Sequence, residues 1–118
     1  KYSSGWSSAE LVSSKTSVDP VITVNGNELI VLFSSDSNSN KNVFLTGFNG
    51  TAWEKEIELT HCRGNTNCVN PVVLDEGLVD GKLAYAYRKF SGEEYSTLDS
   101  NLMYSLFDLN YFYWSEVQ

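Results

Sequence analysis

Asp19-Pro20-Val21-Ile22 opens a run that continues through Thr23-Val24 and Asn25-Gly26-Asn27 into Glu28-Leu29-Ile30-Val31-Leu32-Phe33, and the pattern then returns. Asn70-Pro71-Val72-Val73 repeats its start 51 residues later, and Gly81-Lys82-Leu83-Ala84-Tyr85-Ala86-Tyr87 repeats Asn27–Phe33 at an offset of 54. Asn40-Lys41-Asn42-Val43-Phe44-Leu45-Thr46-Gly47-Phe48-Asn49 matches Asp99-Ser100-Asn101-Leu102-Met103-Tyr104-Ser105-Leu106-Phe107-Asp108 at 59, and Trp53 matches Trp114 at 61. The order is kept, and the offset grows only where polar residues fit into loops. Four ordered blocks are hard to obtain by chance, so the chain reads as a repeat with a unit of about 50 residues. A partial third copy stands at the start: Trp6, Glu10 and Leu11 correspond to Trp53, Glu58 and Leu59.

Each unit holds four strand-like runs, in the first complete one Val21–Val24, Glu28–Phe33, Asn42–Phe48 and Trp53–Thr60. Asn25-Gly26-Asn27 has the chemistry of a tight hairpin, since Asn and Gly tolerate positive φ. Leu29–Phe33 is apolar without alternation, as in a strand covered on both faces. The fourth run alternates, which predicts Trp53, Lys55, Ile57 and Leu59 on one side and a solvated face of Glu54, Glu56 and Glu58 on the other. Such a charged face suits an outermost strand. Leu98, Leu102 and Leu106 fall at helical spacing, but the matching segment 40–48 has β-type residues, so the repeat predicts a strand there too.

Buried inner strands, a charged outer strand and a four-strand period describe a β-propeller blade. The expected architecture is all-β: a tail strand and connecting loop over 1–18, a complete blade over 19–69 and a second over 70–118. Closed propellers need about 4–8 blades. A chain of 118 residues supplies two and a leftover outer strand at Tyr2–Val12, so it is expected to be part of a larger propeller or an oligomeric ring.

The blocks resemble sialidase-like, BNR-type propeller blades. That superfamily often carries an Asp-box, Ser/Thr-x-Asp-x-Gly-x-Thr-Trp, between the last two strands of a blade. Thr46-Gly47-Phe48-Asn49-Gly50-Thr51-Ala52-Trp53 keeps its Thr, Gly and Trp, with Phe48 and Ala52 replacing the Asp and second Thr; the next unit keeps little beyond Trp114. Sialidase activity, as the resemblance describes it, needs an arginine triad, and this sequence has only Arg63 and Arg88. An independent sialidase is therefore rejected.

The balance of 8 basic against 15 acidic residues, net charge -7, repels phosphate backbones and acidic headgroups. Neither nucleic-acid binding nor membrane insertion is expected, and no apolar run reaches the roughly 20 residues of a membrane helix. The first residues lack a signal-peptide core and an initiator methionine, which suits a processed chain. Cys62 and Cys68 enclose polar turn residues and suggest a disulfide-closed loop, and Asn49-Gly50-Thr51 is a glycosylation sequon. These cues point to an extracellular or cell-surface protein.

No residue pattern selects a catalytic site. Paired carboxylates across a cleft are what a glycosidase needs, and no spacing singles out a pair. Glu93-Glu94 reads as a loop tip. His61 is the only histidine, and no Gly-x-Ser-x-Gly elbow is present. A metal site on His61, Cys62 and Cys68 lacks a fourth ligand and the usual spacing, so the disulfide is preferred. Asp36, Asn38 and Asn40 place oxygens at alternate positions as calcium loops do, but Lys41 stands where such a loop needs Gly; a plain polar loop is the stronger reading. Trp53, Tyr113 and Trp114 are candidates for stacking on a sugar, against the simpler alternative that they pack between blades.

The sequence therefore predicts a non-catalytic extracellular propeller segment, a scaffold or a recognition surface for protein or glycan. A lectin-like two-blade subunit that oligomerises into a sugar-binding ring is the alternative. A fragment of a propeller glycosidase with its active site elsewhere is the third. No cofactor is expected, and the expected partners are further blades or chains and a glycan.

Overall fold

The computed structural model describes residues 8–26, 28–73, 78–79, 82–92 and 100–109. Seven strands follow in chain order: β1 Ser17–Asn25, β2 Glu28–Ser37, β3 Asn40–Phe48, β4 Ile57–Glu58, β5 Thr66–Val73, β6 Leu83–Ser91 and β7 Asn101–Phe107. They form two antiparallel meanders, a four-stranded sheet β1-β2-β3-β4 and a three-stranded sheet β5-β6-β7. The chain is all-β among the described elements, and the leucines of 98–109 sit partly on strand β7.

The two sheets carry the same registers. Leu29 pairs with Phe48 and Val31 with Thr46 in the first; Leu83 pairs with Phe107 and Tyr85 with Ser105 in the second. These are the residues that the sequence repeat aligns. The first hairpin of each sheet also breaks its ladder at the same place, between Val18 and Val21 and between Val69 and Val72. Asp19-Pro20 and Asn70-Pro71 are the residues passed over. Asp19 has φ 57° and Asn70 has φ 56°, a region that Asp and Asn enter more readily than other side chains. A proline offers no N–H to a ladder, so a bulge is where a strand can hold one.

Hairpin chemistry sets the turns. Asn25 pairs with Glu28 around Gly26, at φ 63°, and Ser37 pairs with Asn40 around Asn38 and Ser39, both at positive φ. Turns with two positive-φ residues match the right-handed twist of the strands they join.

Strand alternation then gives each sheet two faces. On the first sheet Ile30, Leu32, Val43 and Leu45 are fully buried on one face, joined by Val21, Ile57 and Leu59. They pack against Leu83, Tyr85, Tyr87, Val73 and Phe107, which occupy the alternate positions of the second sheet. Each fully buried aliphatic side chain contributes about 1.5–3 kcal/mol, so this layer is the main cohesive term. Burial pushes the Tyr85 phenol's pKa up, opposed by its hydrogen bond to Ser105. The other face of the first sheet holds Val31, Phe33 and Phe44, with the two phenyl rings stacked at 5.9 Å, and is covered by Val12 and Trp53.

Two expectations need correction. The fourth run is not one alternating strand. Trp53 bridges Phe48, but Ile57 pairs with Leu45, so the register slips by one residue and Lys55-Glu56 leave the ladder. A one-residue slip exchanges the faces. Trp53 therefore lies on the Phe44 face and Ile57 on the opposite one, and Glu54 is buried rather than solvated. Residues 8–12, expected in an outer strand, form no strand; a ladder needs a partner strand, and this segment instead lays Val12 on Val31 and Phe33. Tyr2 and Trp6 lie outside the described residues.

The bulge conformation predicts a substitution pattern at Asp19. Asp19→Gly is expected to keep stability near that of the parent in urea melts, whereas Asp19→Val, β-branched in a left-handed conformation, should cost about 1–2 kcal/mol.

Candidate functional site

The crossing from β4 to β5 is held by a buried polar cluster. Asn42, fully buried on β3, accepts hydrogen bonds at Oδ1 from the Cys62 N–H (2.6 Å) and the Thr60 hydroxyl (2.8 Å), while its Nδ2 donates to the Cys62 carbonyl at 3.3 Å. Thr60 Oγ1 in turn accepts the Val43 N–H at 2.9 Å. Cys62 and Cys68 are joined as a disulfide with Cα atoms 6.1 Å apart, and both are buried in the layer between the sheets. Both sulfurs are thus committed, which leaves no thiolate to join His61 in a metal site. His61 is exposed, with Nδ1 3.8 Å from a Glu58 carboxylate oxygen.

The polar hairpin of Asp36, Asn38 and Asn40 is also tied to protein partners. Asp36 pairs with Lys41 at 3.0 Å. The Asn40 amide donates to the carbonyls of Gly64 (3.0 Å) and Thr66 (2.6 Å), and Asn38 is exposed at the turn. Among the described residues no three His, Cys, Asp or Glu side chains gather as metal ligands would.

Trp53 is the one sugar-stacking candidate within the described residues; Tyr113 and Trp114 lie outside them, as do Glu93 and Glu94. The turn that presents Trp53 is closed by Asn49, whose Oδ1 accepts the N–H groups of Thr51 (2.9 Å) and Ala52 (3.0 Å). Gly50, at φ 102°, supplies the conformation that the turn needs. The Thr46 hydroxyl donates to the Glu54 carbonyl at 2.6 Å, and the Glu54 N–H to the Gly47 carbonyl at 2.8 Å. The indole packs on Phe48 with centroids 5.3 Å apart, and its buried Nε1–H has no hydrogen-bond partner among the described residues. Asn49 is exposed, as a sequon must be, but its amide nitrogen donates to the Glu54 carboxylate at 2.6 Å. A glycan on Asn49 would attach at that nitrogen.

Beside Trp53 an open cleft runs between residues 10–14 and 51–56. The Ser13 hydroxyl donates to the Glu56 carboxylate across it. Burial works to raise the Glu56 pKa, but Ser13, its own backbone N–H, Lys15 and Lys55 outweigh it and hold the group below the usual carboxylate range. Three carboxylates, Glu10, Glu54 and Glu56, border this cleft, with Glu54 buried against Asn49.

A second surface is apolar. On the open face of the second sheet Val72, Leu102 and Tyr104 are 54%, 82% and 64% exposed. With Val79, Ala84 and Ala86, the first and last of these line a recess of about 340 Å³.

The Ser13–Glu56 bond predicts its own titration. The group is depressed, so the bond contributes above the carboxylate's unfolded pKa and is lost as pH falls through the lowered value. Carbon-detected NMR of Ser13→Ala should show the Glu56 midpoint rising toward an ordinary carboxylate value; an unchanged midpoint would exclude the bond. Comparison of this chain with family models, with curated proteins and with solved structures gives no match.

Proposed function

We propose that this chain is a non-catalytic, extracellular segment of sialidase-like propeller blades that serves as a scaffold or recognition surface. The observation that carries the reading is the shared register of the two sheets, down to the Asp-Pro and Asn-Pro bulges, with one sheet laid on the other. Blades are four-stranded meanders stacked in this way. The turn over 46–53 lies between the third strand and the following one, where the resemblance puts an Asp-box. Its degenerate positions are met by other means: Asn49 closes the turn with its own side chain.

A disulfide is consistent with life outside the cell, where oxidising conditions preserve it. Among the described residues no helix is long and apolar enough to cross a membrane. The two arginines are engaged elsewhere: Arg88 donates to Asn70 (3.2 Å) and Ser100 (2.8 Å), and Arg63 lies 3.6 Å from Glu58. Neither is free to grip a substrate carboxylate with a partner arginine.

The lectin-like alternative draws on one feature, the Trp53 ring beside an open cleft bordered by Glu54 and Glu56. An aromatic face next to polar acceptors is what a sugar site requires. The two readings separate in one experiment. The chain is incubated with aryl sialosides and neutral aryl glycosides while its tryptophan fluorescence is followed across a glycan panel. No aryl release is expected. Saturable fluorescence change with one glycan class, lost on addition of the free sugar, would establish the lectin reading over the scaffold. Steady aryl release abolished by Glu54→Gln or Glu56→Gln would overturn the non-catalytic assignment.

A further inference from the structure

The interface between the two sheets is not symmetric. The first sheet contributes Val21, Ile30, Leu32, Val43 and Leu45; the second contributes the alternate positions, Val73, Leu83, Tyr85, Tyr87 and Phe107. The repeat alignment carries each set onto the other sheet. The equivalents of Val21, Ile30, Leu32, Val43 and Leu45 are Val72, Ala84, Ala86, Leu102 and Tyr104 on the far face of the second sheet, where Val72, Leu102 and Tyr104 are exposed and Ala84 is buried. The equivalents of Val73, Leu83, Tyr85, Tyr87 and Phe107 are Ile22, Leu29, Val31, Phe33 and Phe48, on the outer face of the first. There Ile22 is 59% exposed and neighbouring Val24 is 52% exposed.

The described residues thus present both halves of the interface that lies between the two sheets: one on the open face of the second sheet, the other on the outer face of the first, where Val12 and Trp53 already bury Val31 and Phe33 and leave Ile22 and Val24 exposed. We propose that the open face of the second sheet binds the outer face of the first sheet of a second copy of this chain, head to tail. The proposal rests on the blade reading above and names the partner of that scaffold. Continuity with the existing sheet-to-sheet contact selects this occupant, since any copy brings the complementary face. The contact is heterologous, because the two surfaces that meet are different. A two-fold contact of the open face with itself would instead set Leu102 and Tyr104 against their own copies, an arrangement that the interior interface never uses.

Residues 8–16 lie where the preceding unit's crossing segment would be. Leu59 precedes the second sheet and packs into the layer between the sheets; its equivalent Leu11 is followed by Val12, which packs on Val31 and Phe33. This segment covers the Phe33–Phe44 half of the outer face and leaves the Ile22–Val24 half for the incoming copy. With two sheets per chain and about 4–8 sheets in a closed ring, closure takes roughly two to four copies.

The test is native mass by sedimentation equilibrium over micromolar to millimolar concentration. The expected result is a complex of two to four 13.2 kDa chains that stops growing. Two exposed-site variants decide its geometry: Leu102→Glu/Tyr104→Glu on one face, and Ile22→Glu/Val24→Glu on the other. Each alone should be monomeric, and their equimolar mixture should form a 1:1 pair and nothing larger, since one competent contact remains. A parent chain that stays monomeric at every concentration overturns the proposal. So does an Ile22→Glu/Val24→Glu variant that still dimerises while the other does not, which indicates contact of the open face with itself. Head-to-tail growth without a limiting mass would keep the proposal and count against a closing propeller. Circular dichroism of both variants matching the parent secures that the sheets persist.

Discussion

Everything else in this structure depends on the layer in which Ile30, Leu32, Val43 and Leu45 meet Leu83, Tyr85 and Tyr87. Meanders of three or four strands bury one face poorly and the other not at all unless something lies on them. Here each sheet solves part of the problem for its neighbour. The second sheet covers one side of the first, Val12 and Trp53 cover the Val31, Phe33 and Phe44 part of the other, and the far side of the second sheet leaves Val72, Leu102 and Tyr104 exposed.

That layer requires a fixed path from β4 to β5. Asn42 provides it by accepting from the Cys62 N–H and the Thr60 hydroxyl inside the protein, where an unmet polar group costs about 1–3 kcal/mol. The disulfide closes the short loop that follows, and the Asn40 amide holds the carbonyls of Gly64 and Thr66 to the tip of the β2–β3 hairpin. The aligned position of Asn42 in the second sheet is Asn101, which is exposed on β7. A residue that pins a crossing in one sheet thus stands at the surface in the other.

Much of this was legible in the sequence because the signals were matched in pairs. Asp19-Pro20 and Asn70-Pro71 marked the start of each unit, though not the bulges found there, and the offsets aligned residues that pair identically in both sheets. The repeat also overruled the helical spacing of Leu98, Leu102 and Leu106, since strand β7 copies β3. What failed was local. The alternation of residues 53–59 assumed an unbroken strand, and a single bulge at Lys55-Glu56 exchanged its faces, which buried Glu54. Hydrogen bonding decides such a bulge, and the Thr46 hydroxyl and Gly47 carbonyl that hold Glu54 are eight and seven residues away. The candidate site was less legible still. Trp53 could be named as an aromatic in a turn, but its contact with Phe48 and the Ser13–Glu56 bond across the neighbouring cleft depend on the third dimension.

The central claim is that the chain is a front-to-back array whose two end faces are complementary. An isotope-filtered NOE experiment on a mixture of labelled and unlabelled chain reads this directly, because only contacts between different molecules appear. Cross-peaks from the Ile22 and Val24 methyls of one molecule to the Tyr104 ring and Ala86 methyl of another are predicted. Their absence in an assembled sample, or cross-peaks joining Tyr104 to Tyr104, would contradict the account.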